Sequence, residues 1–298
     1  MTLAYPRSDA DFAVPRFGAR AIGGLRSAAT VLRREPGLLF AALVLATVVT
    51  AALFPQLFTS LNPLRGAGAA RLLPPSAVHW FGTDQLGRDL FTRVVYGTGE
   101  SVKAVMIAVL VGLALGSLIG LVAGYVGRWV DDVLMRVMDV LLAVPTLLIS
   151  LAIISALGFG TFNIAIAVGV GSVASFARLM RSEVLKVRQM PYVEAAAFSG
   201  IGPLRTLIRH VLPNAAGPVL VLATLELGMA ILSVSALSFL GFGAPPPAPE
   251  WGLLVAGGRD YMATAWWLTA LPGLVIAITV LSANRVARAL DRRHAATF

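Results

Sequence analysis

From Val140 to Ala177 the chain carries no charged residue, a run of 38 positions. A helix rising about 1.5 Å per residue needs about 20 apolar residues to cross a hydrocarbon core of about 30 Å. A run this long holds two crossings. It also contains its own break, Gly158-Phe159-Gly160-Thr161, where the glycines allow a tight turn. Long apolar runs with few or no charges predict six spans, at roughly 37–57, 103–126, 133–156, 161–179, 215–241 and 266–287. The fold class expected is all-α, a polytopic membrane protein.

Only 13% of the 298 residues are charged and 57% are hydrophobic, whereas a soluble domain carries about 25% charged residues. So few charges cannot coat a water-facing surface, and lipid must surround much of the chain. The net charge of +9 does not point to nucleic acid, because the basic residues sit between apolar runs and form no stripe. The absence of cysteine excludes disulfides, thiolate metal sites and covalent haem. No charge occurs between Glu35 and Arg65, a stretch longer than the roughly 7–15 apolar residues of a signal peptide. An uncleaved first helix is expected.

Basic residues also set orientation. With the N-terminus inside, the cytoplasmic segments hold 18 of the 24 Lys and Arg residues and the outer segments 6. Both ends are therefore expected in the cytoplasm.

Two stretches do not span. In the outer one, Trp80 and Phe81 precede Gly82-Thr83-Asp84-Gln85-Leu86-Gly87-Arg88-Asp89. Asp84 suits a helix N-cap, and Leu86, Leu90 and Val94 would form an apolar stripe. That pattern predicts a short helix lying flat at the outer membrane surface. A packed outer loop of no special function fits the same spacing.

In the inner stretch, 180–213, Pro191 suits a first helical position and Glu194-Ala195-Ala196-Ala197 are good helix formers. Gly200 is placed to end that helix in a left-handed conformation. Pro203 opens a second short helix, and Pro213 is expected to end it before the fifth span. The stretch reads either as a rigid lever between two spans or as a long connecting loop.

Several single residues carry alternatives. Asp132, Arg136 and Asp139 share one helix face at the mouth of the third span, as an ion-pair ladder or a gating group. Pro145 allows a kink in that span. Glu226 is the one ionisable residue well inside a span. With Ser233 on its face, it either looks into the bundle or solute pathway, or reaches the headgroups or a loop arginine.

The motifs of other classes are missing. The only lysines, Lys103 and Lys186, are not preceded by glycine, so no phosphate-binding loop is present. His79, His210 and His294 form no metal-spaced pair, and no Gly-x-Ser-x-Gly occurs. The alternative is an ion-gradient-driven secondary transporter or channel. Such a protein usually shows several mid-membrane ionisable residues and matching broken helices. Here Glu226 stands alone.

Glu194-Ala195-Ala196, then Gly200, then His210-Val211-Leu212-Pro213 resembles the EAA loop of ABC importer permeases, with His210 in the place of the usual isoleucine. That histidine is usual in the peptide and nickel branch. Pro75-Ser76, His79 and Gly82-Thr83-Asp84-Gln85-Leu86-Gly87-Arg88-Asp89 resemble the outer segment of its C-type subunits. Gly124-Tyr125, Trp129, Asp131, Arg136, Asp139 and Pro145 resemble the entry to its third helix. Leu237-Ser238-Phe239-Leu240-Gly241, Pro249, Trp251-Gly252 and Pro272-Gly273 resemble its C-terminal third. The chain departs at Val234, where many relatives carry glutamate, and in its tail after Asn284.

The resemblance implies a permease in the bacterial cytoplasmic (inner) membrane, paired with a homologous permease as a heterodimer. It implies two ATP-binding subunits, which hold ATP and Mg, and an extracytoplasmic solute-binding protein; no cofactor is expected on this chain. Glu194, Ala195, Ala196, Gly200, His210, Leu212 and Pro213 would couple to an ATPase subunit. The division expected is a cytoplasmic tail (1–36), a first transmembrane helix (37–57) and an extracytoplasmic segment with an interfacial helix (58–102). A five-helix permease domain (103–290) with a coupling loop (180–213) and a cytoplasmic tail (291–298) follow.

Overall fold

The computed structural model describes residues 36–295. The expected tail over 1–36, apart from Pro36, and the end of the 291–298 tail lie outside the described residues. Among the described residues ten α-helices follow one another: α1 (Pro36–Leu53), α2 (Leu90–Val126), α3 (Arg128–Ala143), α4 (Thr146–Leu157), α5 (Thr161–Arg188), α6 (Pro191–Phe198), α7 (Pro203–Thr206), α8 (Leu212–Phe239), α9 (Trp251–Gly258) and α10 (Trp267–Ala295). Among the described residues the only β pairing is an isolated bridge between Thr83 and Asp89.

Among the described residues five elements are long and apolar enough to cross a membrane: α1, α2, α5, α7 continued into α8, and α10. A sixth crossing exists only as the pair α3 and α4, bent by 97°. The expected continuous third span, 133–156, is thus corrected to a broken one. Pro145 has no N–H to donate, and its ring pushes the preceding residue out of helical geometry. Val144 is accordingly extended, at φ −96° and ψ 131°. The turn at Gly158 and Gly160 falls where the glycines place it, with φ of +88° and +135°.

Helix α1 stands at the edge of the bundle. Only Leu38, Ala41 and Ala51 are buried, while Leu39, Phe40, Leu43 and Val49 are exposed, as a lipid-facing helix requires.

Helix α2 corrects the expectation for the outer segment. It begins at Leu90 and runs 37 residues, about 55 Å, far more than a bilayer core needs. Its first turns pack against protein: Leu90, Val94, Thr98 and Ser101 are buried, and Trp251 Nε1 donates to the Val94 carbonyl at 3.1 Å. No flat helix forms at Asp84. The N-cap is Asp89, which accepts from the Thr92 N–H at 2.7 Å. Asp84 instead closes a loop. Its carboxylate accepts from the Leu86 and Arg88 N–H groups and from Arg88 Nε at 2.6 Å. Leu86 lies on that loop, 54% exposed, so the expected stripe with Leu90 and Val94 does not exist.

The centre of the bundle is the crossing of α2 on α5. Gly112, Gly116, Gly120 and Gly124 recur every four residues and line one face of α2. A methyl added at Gly116 would meet the Val173 carbonyl at 2.5 Å, and one at Gly120 would strike the Ala177 carbonyl. Backbone lies against backbone, as small residues allow in membrane helices. Beside this seam, α4, α5 and α8 bury Ile154, Ile164, Val168, Val234 and Leu237 against Ala104 and Ala108 of α2.

The second short helix of the inner stretch is not separate, as Pro213 had suggested. After α7 the chain makes a π-turn, Leu207–Val211, in which the Leu212 N–H reaches back to the Leu207 carbonyl, and then runs on into α8. The wider turn suits Pro213, which cannot donate to Arg209 and whose ring would crowd that carbonyl in a regular helix.

Candidate functional site: the 189–213 loop and an intramembrane cavity

Helix α6 starts at Pro191, carries Glu194 in its first turn and buries Val193 and Ala196 on the side that meets Val187, Val211 and Ala215. Glu194 and Ala195 face outward. The helix ends as its glycine predicts. Gly200 has φ +78°, the Ser199 N–H reaches Ala195 at 3.0 Å, and the Ile201 N–H reaches the Ala196 carbonyl at 3.2 Å. That last bond, closing over a left-handed glycine, satisfies a carbonyl that a helix end leaves open. No neighbour lies within 4 Å of where a Cβ on Gly200 would stand. The glycine is thus required by its backbone angle, not by crowding.

The loop is tied to the end of α2. Tyr125 Oη donates to the Pro203 carbonyl at 2.6 Å. Arg188 donates to the carbonyls of Tyr125 at 3.0 Å and Gly124 at 3.4 Å, capping the last turn of α2. These ties hold a surface that is apolar yet uncovered in the single chain: Phe198 is 91%, Leu204 67% and Ile208 57% exposed. Leu212 is half-buried against the α5 and α6 cluster and Pro213 is exposed in the first turn of α8. His210 is half-buried, and its Nε2 is buried without a hydrogen-bond partner among the described residues.

The expected ladder of Asp132, Arg136 and Asp139 is corrected. Among the described residues no ion pair joins these three. Asp139 pairs with Arg178 at 2.5 Å, and Asp131 takes a bidentate contact from Arg181 at 2.5 Å. Both bonds run from α3 to α5. Spacing along one helix cannot reveal a partner on another, and Asp131 was the residue missed. Together the pairs tie α3 to α5 on the N-terminal side of the break at Pro145.

Glu226 lies midway along α8 and makes no hydrogen bond or ion pair among the described residues. It lines a cavity of about 130 Å³ with Ser233 of the same helix, Ser172 and Ser175 of α5 and Thr146 of α4. Val234 points elsewhere, into the core at 1% exposure.

At the far end, Gly82, Thr83, Asp84, Gly87, Arg88 and Asp89 form one folded loop. Gly82 and Gly87 adopt φ of +73° and +71°. The Thr83 hydroxyl donates to the Ala70 carbonyl and accepts from the Leu73 N–H. His79 Nδ1 meets Asp89 Oδ2 at 2.8 Å. Two further charged groups were not legible from spacing. Arg93 is buried and donates to the carbonyls of Pro63 and Pro247, 154 residues apart from it in the second case. Glu250 is fully buried and caps α9, accepting from the Gly252 and Leu253 N–H groups at 3.0 Å and from Ser101 at 3.3 Å. Among the described residues no group of three His, Cys, Asp or Glu is placed to hold a metal.

The fold is a bundle of membrane-crossing helices with a braced loop outside it and a hydroxyl-lined cavity within it. A family profile described as binding-protein-dependent transport system inner membrane component matches residues 116–295. The chain belongs to that family and is a permease subunit of an ABC importer, a transport component of the inner membrane. It is 38% identical over 266 residues to the dipeptide transport system permease protein of Alkalihalophilus pseudofirmus, covering 89% of this chain and 88% of the relative. It is 41% identical over 210 residues to a glutathione transport system permease protein of Pectobacterium atrosepticum, covering 70% of each. Among solved structures, an amino acid ABC transporter matches in fold with a TM-score of 0.53 and 17% identity, over 68% of this chain and 94% of that one. The inward-facing methionine ABC transporter gives a TM-score of 0.51 and 14% identity, over 66% and 96%.

Proposed function

We propose that this chain forms, with a homologous permease, the pathway by which an ATP-driven importer takes up peptides or closely related small solutes. The 189–213 loop lies on the cytoplasmic side with both chain ends, and docks on one of two ATP-binding subunits. Those subunits hold ATP and Mg, and an extracytoplasmic binding protein delivers the solute to the opposite face. One observation carries this reading: the exposed apolar set of Phe198, Leu204 and Ile208, on a loop braced by Gly200, Tyr125 and Arg188. An apolar patch held rigid in water calls for a partner surface. The names of the relatives, dipeptide and glutathione permeases, supply the solute class.

The test is reconstitution with the co-expressed partners in proteoliposomes. Uptake of a mixture of di- and tripeptides should require internal ATP and persist when ion gradients are collapsed. Uptake that survives removal of the ATP-binding subunits and stops with an ionophore would support gradient-driven transport instead. A cysteine at Phe198 should crosslink to the ATP-binding subunit.

A further inference from the structure

Glu226 is the one charged side chain among the described residues that line the cavity between α2, α4, α5 and α8. The other polar groups there are hydroxyls: Ser172, Ser175, Ser233 and Thr146. Ser172 donates its hydrogen to the Gly169 carbonyl at 2.9 Å, which leaves its lone pairs free to accept. Ser175, Ser233 and Thr146 make no hydrogen bond among the described residues. The cavity therefore offers one carboxyl group among hydroxyls that can both donate and accept, and among the described residues no cation lines it.

A carboxyl group within a span is unfavourable unless a partner or water satisfies it. A partner that brings positive charge and several hydrogens would satisfy it. A divalent metal ion would ask for more carboxylates or carbonyls than one Glu supplies. A primary ammonium carries three donors and one positive charge, which matches one carboxylate among hydroxyls. The cavity, of about 130 Å³, has room for a primary ammonium group beside the carboxylate. We infer that Glu226, with the hydroxyls of Ser172, Ser175 and Ser233, receives the primary ammonium end of the solute as it passes this subunit. The inference rests on the peptide-importer reading, since peptides and glutathione carry a free α-ammonium group.

The experiment uses the complete importer in proteoliposomes and two probes, a mixture of di- and tripeptides and the same mixture N-acetylated. The binding protein also discriminates between them, so the readout is the ratio of the two uptake rates, compared between variants with the same binding protein. Glu226→Gln keeps the shape and removes the charge. The ratio in favour of free amines should fall by roughly tenfold, the worth of one charge-assisted hydrogen bond. Ser172→Ala should lower it less. An unchanged ratio in Glu226→Gln, or an equal proportional loss of both probes, overturns the inference while leaving the importer reading intact. Should Glu226→Gln import neither probe, Glu226→Asp decides. Recovery of free-peptide uptake with the ratio kept supports the ammonium site, and failure to recover overturns it. If the wild-type complex imports neither mixture with ATP, the reading beneath it fails instead.

Discussion

Tyr125, at the end of one membrane helix, donates its hydroxyl to the carbonyl of Pro203, 78 residues later, at 2.6 Å. Pro203 opens the element that runs on into α8, so this bond and the Arg188 cap join three membrane helices at the loop. In Tyr125→Phe the ring stays and the donor goes. The expected loss is about 1 kcal/mol, roughly fivefold faster amide exchange at Thr206. Exchange confined to wild-type rates would show the tie to be incidental.

Gly200 separates backbone strain from crowding. Valine at φ +78° is strained by about 1–3 kcal/mol although the space around it is open. Asparagine tolerates that region. Gly200→Val should insert normally and lose most ATP-driven uptake, while Gly200→Asn keeps most of it. Equal behaviour of the two in the uptake assay would remove the left-handed turn from any part in coupling.

The seam between α2 and α5 should be intolerant of size. Gly116→Leu would drive a side chain into the Val173 carbonyl and Phe176. Overpacking of this kind costs about 1–3 kcal/mol or more, and a backbone contact cannot relax as a core side chain does. The expected result is loss of the folded protein from detergent extracts, read by size-exclusion chromatography. Gly273→Leu on α10, with no neighbour within 4 Å of its Cβ position, serves as the control and should purify as wild type.

Sidedness can be read directly, because the chain has no cysteine. Ala69→Cys and Ala195→Cys both sit at exposed positions. An impermeant maleimide on intact cells should label the first and not the second. Reversed labelling would invert the proposed orientation.

Glu250 gives a pH dependence. Burial pushes its carboxyl above the usual range, and the N–H donors of Gly252 and Leu253 with nearby serine hydroxyls only partly oppose this. A carboxyl with a raised folded value stabilises the fold fully below its unfolded value, about 4.3, and that contribution is lost as pH rises through the folded value. The melting temperature should therefore decline as pH rises above about 4.3 toward neutrality. Glu250→Gln, neutral at every pH, should flatten that decline. A slope identical to wild type would assign it to other groups.

The parts of the fold that were legible in the sequence are those decided locally. Pro191, Gly200 and the Gly158-Gly160 break each act through their own backbone angles, and each lies where its chemistry puts it. The failures share a different cause. Asp84 is expected to cap a helix, but Asp89 does, because the helix begins where Leu90 and Val94 pack against Trp251, a contact from far along the chain. A proline in an apolar run allows a kink, but the 97° between α3 and α4, with α3 tied to α5 through Asp131 and Asp139, is a tertiary arrangement that residue spacing does not give. The π-turn before Pro213 is a matter of hydrogen-bond register, which residue types do not encode one by one. Glu226 was visible as a charge inside a span, while the hydroxyls around it come from three separate helices.

The glycine row on α2 also has a mechanical meaning. Two helices whose backbones touch over four successive turns behave like a key in its slot. Sliding one along the other by less than a full turn would lift each carbonyl of α5 onto the shoulder of the next residue of α2. Turning either about its own axis would bring side chains where only hydrogen fits. The pair is packed as a single strut, whereas the break at Val144 and Pro145 interrupts the helical hydrogen bonding of the third crossing.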